Sequence, residues 1–472
     1  MFYNREAELN YLLQRKRSVE ATRFGELIVL YGRRRVGKTT LIQEFLRRTE
    51  GGIYLYTDLA EERDLFQSFS QSIREQTSDL VDFNRIESFF TYLNEKAKRG
   101  LLILALDEFQ RLLSTSPRVI TRLQYEWDQT LKDLPVMAVL MGSSIGMMQK
   151  VALSATAPLF GRTTGIQKIK PFNYQQMRSM FEGLNEVDKV RIYAVFGGTP
   201  YYLDLVKRSR KKEILKIIEA LIVAPGAPLR EEPRTLLTAE LKEIGRYNSI
   251  LHAIASGKAT VKEISDQVGI EATQLPYYLK TLHKLMDLVI PEAPVLGKQK
   301  MGRYQISENF FRFWYRFIYP NFSALELGNT TTVIEFIKKN LDAFVGPTFE
   351  QIVREVLIAY NHHELNGISL DFTQIGRWWS RTGEEIDVVA VNERDNTILF
   401  GEVKWTARPV GHRLIRDLLE RKARIMWHRE TRKEYLLAVS RAGFTPQAKR
   451  LAREAGVVTL TLDAISKLWE ET

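Results

Sequence analysis

Short apolar runs alternate with longer amphipathic stretches through the first 205 residues. Glu26–Tyr31, Ile53–Tyr56, Leu101–Leu106, Val136–Met141 and Gly165–Ile169 read as strands, with helical periodicity between them. That alternation predicts a parallel α/β sheet. Residues 206–245 are helical and charged until Pro225, Gly226, Pro228 and Pro233 interrupt them, as in a linker. Residues 246–325 read as three short helices followed by a two-stranded ribbon, and 340–472 as a second α/β unit that opens with a helix. The expected order is therefore 1–205, 206–245, 246–325 and 340–472, without internal repeats.

Composition narrows the class. With 44% apolar and 26% charged residues the chain is globular, not disordered or collagenous. No apolar run approaches the roughly 18 residues of a membrane span. The first turn carries Arg5, Glu6 and Glu8 and lacks the apolar core of a signal peptide, so a soluble, cytoplasmic protein with no membrane partner is expected. The absence of cysteine excludes disulfides, thiolate catalysis and cysteine-based zinc sites, which leaves carboxylates as the expected metal ligands. A net charge of +11 fits affinity for a polyanion, or else a basic surface that binds nothing.

The first chemical motif is Gly32-Arg33-Arg34-Arg35-Val36-Gly37-Lys38-Thr39, which fits GxxxxGK[ST]. In such a loop the glycines let backbone N–H groups close around phosphates, while the lysine and the hydroxyl reach the γ-phosphate side and Mg²⁺. It follows the run Glu26–Tyr31 and opens an apparent helix from Thr40, so a helix N-terminus would face the phosphates of ATP. Arg33, Arg34 and Arg35 are surface charges or contacts to phosphate or DNA. The run Leu101–Leu106 ends in Asp107 and Glu108, expected to hold Mg²⁺ through water and to orient the attacking water, respectively. Ser143, after Val136–Met141, is placed to sense the γ-phosphate. Arg162 reads either as an arginine finger, in cis or from a neighbouring subunit, or as a structural ion pair.

These residues resemble the archaeal ATPase family, in the STAND-like branch of AAA+-related P-loop NTPases. The resemblance rests on Phe2 to Leu9, Gly32 to Thr39, Leu106 to Phe109, Leu159 to Arg162, and Gly197-Gly198-Thr199-Pro200-Tyr201. It implies that the Arg5-Glu6 segment lies near the nucleotide base. Thr199 stands where AAA+ relatives keep a sensor arginine.

In the middle region Thr260–Val268, Gly269-Ile270 and Thr273–Leu285 form a helix-turn-helix pattern, and a basic loop with Lys298, Lys300 and Arg303 joins the ribbon strands. A winged helix is expected, either contacting duplex DNA through Tyr277, Lys280, Thr281 and Lys284 or serving as an interaction module. The aromatic run Phe310–Phe317 reads as core or as a stacking surface for bases.

Toward the C-terminus, Glu385–Ala390 and Thr397–Trp405 read as strands. Glu402 and Lys404, two apart, share a face. Asp387 with Glu402 can ligate Mg²⁺ while Lys404 assists a water, or the group is a strand salt bridge beside a buried Asp. Residues 340–460 are similar to the PD-(D/E)xK nuclease superfamily, on Phe349-Glu350, Glu385-Ile386-Asp387, Gly401-Glu402-Val403-Lys404-Trp405 and Gly443-Phe444-Thr445. The resemblance implies Asp387 and Glu402 as metal ligands, Lys404 as the catalytic lysine, and Glu350 as a further carboxylate. The family's proline before the first acidic position is absent here. A helix from Arg408 to Arg432, rich in arginine, is expected to suit a phosphate backbone.

The sequence thus predicts a P-loop NTPase parallel sheet, a winged-helix module and a second, restriction-endonuclease-like α/β domain. The expected function is ATP hydrolysis on DNA, gating a metal-dependent nuclease-like domain. The alternative is a nucleotide switch that binds DNA or a protein partner, with a silent nuclease fold; a homo-oligomer or a protein partner is the expected assembly.

Overall fold

The computed structural model describes residues 3–297 and 301–470; Phe2, Lys298 and Lys300 lie outside them. Contacts divide the chain into two units. The first comprises Met1–Pro171, Thr199–Tyr201 and Lys280–Asp287, and the second comprises Phe172–Gly198, Tyr202–Leu279 and Leu288–Thr472.

In the first unit, β1 (Glu26–Tyr31), β2 (Ile53–Tyr56), β3 (Leu102–Asp107), β4 (Val136–Gly142) and β5 (Gly165–Lys168) form one sheet of order β2-β3-β4-β1-β5. Every pairing is parallel. Successive side chains leave opposite faces of a strand, and both faces here are covered. Leu27 and Val29 of β1 join one buried cluster with Phe66, Phe69 and Phe89, while Ile28 and Leu30 join another with Leu9, Leu12, Leu41 and Phe45. The second cluster is supplied by α1 (Glu6–Thr22) and α2 (Lys38–Arg48). Two-sided burial is why β1, β3 and β4 read as nearly unbroken apolar runs.

The second unit contains helix Ile244–Ala255, α3 (Val261–Val268), the start of α4 (Leu275–Lys280) and a ribbon of β6 (Val289–Glu292) with β7 (Arg303–Ile306). Thr260 caps α3 in a reciprocal capping box with Glu263, and Gly269 ends it in the left-handed conformation. On the second helix of the pair Tyr277, Lys280 and Lys284 are exposed, but Thr281 is buried and faces no groove. The aromatic run is core. Phe310, Phe311, Phe313, Trp314, Tyr315 and Phe317 are each at most 2% exposed, in α5 (Asn309–Phe313) and the π-helical turn Trp314–Ile318.

A long helix, α6 (Thr330–Ala359), passes through Pro347 and packs on a second sheet. A small hairpin, β8 (Glu364–Leu365) with β9 (Ile368–Ser369), precedes that sheet. The sheet itself holds β10 (Gln374–Trp379), β11 (Glu385–Asn392), β12 (Thr397–Lys404), β13 (Lys433–Ser440) and β14 (Val457–Thr461) in that order, with β10-β11-β12 antiparallel and β12-β13-β14 parallel. The expected helix from Arg408 to Arg432 is shorter. Only α7 (Arg413–Lys422) is α-helical, because Pro409 and Gly411 precede it and the chain turns after Lys422. Arg432 is buried and donates to the carbonyls of Ile425 and Trp427, so it closes that turn and does not face a phosphate backbone.

Candidate functional site

The phosphate loop leaves β1, a central strand, and runs into α2. Gly32 is required by close approach: a Cβ there would lie 2.3 Å from the Ile169 carbonyl oxygen. Gly37, at φ +89°, lies in the left-handed region that a side chain would strain. Lys38 is buried and its Nζ donates to the carbonyls of Gly32 (2.9 Å) and Arg33 (3.0 Å). Arg5, also buried, donates to the carbonyls of Val36 (3.0 Å) and Lys170 (2.6 Å). It ties the start of α1 to the loop. Burial lowers the Arg5 pKa, opposed by the neighbouring Glu8. Arg35 lies 4.0 Å above the Tyr201 ring, while Arg33, Arg34 and Thr40 flank the loop and Val36 is buried beneath it.

Register brings the acidic pair to the same edge. β4 lies between β1 and β3, so Ser143, just past its end, sits between the loop and Asp107. Asp107 is 2% exposed and its Oδ2 accepts from Thr39 Oγ1 (2.7 Å) and Tyr54 Oη (2.8 Å), while Oδ1 accepts from the Glu108 amide (2.8 Å). Burial, then the Asp107 charge, raises the Tyr54 hydroxyl pKa and keeps it a donor. Glu108 adopts φ +53°, unusual for a side chain of its size. Its Oε2 accepts from Gln110 Nε2 (2.6 Å) and Ser143 Oγ (2.9 Å). Tyr54 and Gln110 escaped the sequence reading, since their partners are reached only through strand pairing and the turn after β3.

Arg162 is not brought to this loop. Its guanidinium forms a bidentate pair with Asp128 (2.7 and 2.9 Å), which lowers the Asp128 pKa. The register Ile28↔Gly165 and the bond from the Thr164 amide to Leu27 put Arg162 beyond the opposite end of β1 from the loop. A finger role within this chain's own loop is corrected by that distance along the strand.

The second cluster lies where β11, β12 and α6 meet. The register Val388↔Gly401 sets Asp387 beside Glu402. Lys404 Nζ lies 3.8 Å from Asp387 Oδ2 and 3.7 Å from Glu402 Oε2, and Asp387 Oδ2 accepts from the Val403 amide (2.9 Å). Glu350 comes from α6, its Oε2 4.0 Å from both Arg354 and Arg377. Burial, then the Asp387 charge, pushes the carboxyls of both Glu350 and Glu402 up to about 7, against the pull of Lys404 and neighbouring arginines. Glu402 Oε1 accepts from Arg421 Nη1 (2.8 Å). The Oε2 atoms of Glu350 and Glu402 are buried and accept no hydrogen bond. Arg354, Arg377 and Arg421 were missed, although Arg354 follows Glu350 at i+4 on one helix face. Among the described residues no three His, Asp or Glu side chains close into a ready-made metal cage. Two carboxylates suffice for Mg²⁺, which keeps several waters.

A parallel sheet with a GxxxxGKT loop after a central strand, and an aspartate from a neighbouring strand bonded to the loop threonine, defines a P-loop NTPase. Residues 2–206 match the family described as an ATPase domain predominantly from Archaea, and residues 314–422 match one described as archaea bacterial proteins of unknown function. The chain is 36% identical over 409 residues to the uncharacterized protein MJECL04 of Methanocaldococcus jannaschii, spanning 86% of this chain and 88% of that one, and it belongs to the family of that protein. An uncharacterized ATP-binding protein of that organism, MJ0423, is 52% identical over 46 residues, 10% of this chain and 71% of its own. The Walker-type ATPase PABY2304 of Pyrococcus abyssi shares the fold, with 20% identity and a TM-score of 0.52 over 66% of this chain and 96% of that one. Among the described residues no helix is long and apolar enough to cross a membrane.

Proposed function

We propose that the protein binds and hydrolyses ATP with Mg²⁺ at the phosphate loop and acts on duplex DNA, with ATP turnover gating phosphodiester cleavage in a C-terminal nuclease-like domain. In this reading Gly32 to Thr40 hold the phosphates, and Thr39 and Asp107 hold Mg²⁺. Glu108 orients the attacking water and Ser143 senses the γ-phosphate. The helix pair with its ribbon acts as a winged helix, through which Tyr277, Lys280 and Lys284 meet the DNA backbone.

The observation that carries the cleavage reading is Lys404 within 4 Å of both Asp387 and Glu402, beside a buried Glu402 oxygen with no hydrogen-bond partner. Such an orphaned oxygen, and carboxyls whose pKa values burial and mutual repulsion raise, fit a divalent cation. Asp387 and Glu402 would hold it, with Glu350 adjoining, because no three acidic side chains among the described residues close on one point. When bound, the cation would supply Lewis acidity toward a phosphodiester and a more acidic water. Lys404, the most exposed member, positions or helps deprotonate that water. Arg421 on Glu402 Oε1 favours the second reading, a nucleotide switch with a silent nuclease fold, because it already neutralises one ligand.

The test uses Mg²⁺ or Mn²⁺ melting shifts and cleavage of circular and linear DNA, with and without ATP. Glu402→Ala is expected to lose both the shift and nicking, whereas Lys404→Ala keeps the shift and loses nicking, since an ammonium is no ligand. A parent without a shift, whose trace nicking survives Glu402→Ala, leaves the switch reading. Lys38→Ala is expected to stop phosphate release; turnover at the parental rate refutes the ATP site.

A further inference from the structure

The second unit holds a cavity of about 440 Å³ whose wall carries Arg303, Arg312, Arg316 and Arg377 together with Glu292 and Glu385. Two of these arginines are neutralised. Arg303 meets Glu385 at 2.5 Å, and Arg377 meets Glu385 at 3.2 Å and Glu292 at 3.8 Å. The other two are not. Among the described residues neither Arg312 nor Arg316 has a carboxylate within 4 Å. Arg312 donates to the Thr348 hydroxyl, lies over the Phe344 ring at 4.6 Å, and keeps a buried Nε without a partner. Glu350 and Glu308 act on it only at longer range, and burial wins, lowering its pKa to about 10.

The lining carries four guanidiniums against two carboxylates, and Glu350 and Glu308, the further carboxylates that act on Arg312, stand too far off to pair with it. Arg312 keeps its buried Nε unpartnered and Arg316 stands half-buried beside it, so an anion in the cavity would complete the site. Backbone geometry aims the pair together. Arg312 and Arg316 are four residues apart where α5 passes into a π-helical turn, a distortion frequent at functional sites. On the facing helix Pro347, which lines the cavity, has no N–H for the Ala343 carbonyl, so that stretch of α6 is also locally opened.

We infer that this cavity is a binding site for a dianionic phosphate monoester, held by Arg312 and Arg316. A monoester carries about −1.5 to −2 near pH 7, and guanidinium forks suit its oxygens. Arg377 lines the cavity and lies 4.0 Å from Glu350, so an occupied pocket would adjoin the carboxylate cluster. The inference does not rest on cleavage there.

The test is calorimetric titration of the full chain in EDTA, at fixed ionic strength, in a Lys38→Ala background that removes the phosphate loop as a competitor. The probes are inorganic phosphate and a 5′-phosphorylated oligonucleotide beside its 5′-hydroxyl twin. Phosphate binding is expected to survive Lys38→Ala and to weaken about tenfold or more in Arg316→Gln, the loss of one charged hydrogen-bonding partner. Arg312→Gln should do the same. Without phosphate, Arg316→Gln is expected to melt no lower than its background, because it relieves repulsion; a merely structural arginine would lower it. Preference for the phosphorylated oligonucleotide names a strand end as the source, and binding of inorganic phosphate alone names a small phosphate. Affinities for phosphate and phosphorylated oligonucleotide that are unchanged in a folded Arg316→Gln protein overturn the site.

Discussion

The hydrogen bonds on Glu108 make a quantitative expectation. Glu108 Oε2 is engaged by Gln110 Nε2 at 2.6 Å and by Ser143 Oγ at 2.9 Å, so in the proposed role that oxygen meets a water only after these donors leave. A hydrogen bond to a charged group contributes about 1.5–3 kcal/mol. At about 1.4 kcal/mol per decade, removing the Gln110 bond raises the released fraction about 10-fold to 100-fold. Ser143 still holds the same oxygen and Arg111 Nε lies 3.6 Å from it, which places the expected gain near the lower end. The perturbation is Gln110→Met. Gln110 is 2% exposed and its Oε1 is already unbonded, so a side chain of similar length without a donor removes, besides this bond, only the long one to Ser143 Oγ (3.4 Å). The assay is single-turnover phosphate release at saturating Mg²⁺ and ATP, with equilibrium nucleotide binding measured alongside. The expected result is release about tenfold faster at unchanged nucleotide affinity. If Gln110→Met is no faster than the parent while Glu108→Gln is silent, the carboxylate is not restrained by this bond and the reasoning fails.

Duplex DNA binding is expected to weaken with salt, and the log–log slope to fall by roughly two in Lys280→Gln/Lys284→Gln, about one for each phosphate contact; an unchanged slope assigns that helix to protein contacts. Burial alone would raise the Glu186 pKa, but hydrogen bonds from Lys189 and Arg178 hold it below 4.5. A depressed carboxylate adds stability above its unfolded pKa and loses it as pH falls through the folded one. The urea midpoint of the parent should therefore drop more steeply below pH 4.5 than that of Glu186→Gln. Phe66, wholly buried among Phe69 and Phe89, should cost about 3–5 kcal/mol on replacement by alanine, read by chemical denaturation.

What could be read from the sequence follows from where the information lies. The strands of the first sheet and the phosphate loop are local: a two-sided buried strand spells itself as a continuous apolar run, and the loop needs its glycines, lysine and threonine in fixed spacing. Asp107 was legible because it ends such a run. Tyr54 was not, because its contact with Asp107 exists only once β2 pairs with β3. The sequence reading opened the C-terminal unit at residue 340 with a helix, whereas α6 begins at Thr330 and continues through Gly346 and Pro347. Tertiary packing of Val333, Ile337, Leu341 and Val345 outweighs the lost hydrogen bond. The restraint on Glu402 by Arg421, and the cavity arginines, depend on helices meeting a sheet from far along the chain.

The position of β1 also governs when the nucleotide site can exist during synthesis. β1 has no partner among the strands that soon follow it; its neighbours are Val136–Gly142 and Gly165–Lys168. Until the ribosome has delivered both, Leu27, Ile28, Val29 and Leu30 form an unpaired apolar strand with two open edges, the kind of surface that aggregates or recruits chaperones. The phosphate loop emerges early but gains its framing strands late, so a nascent chain cannot use ATP to steer its own early folding. Closing such long intervals before any pairing rewards them makes this a slowly folding unit.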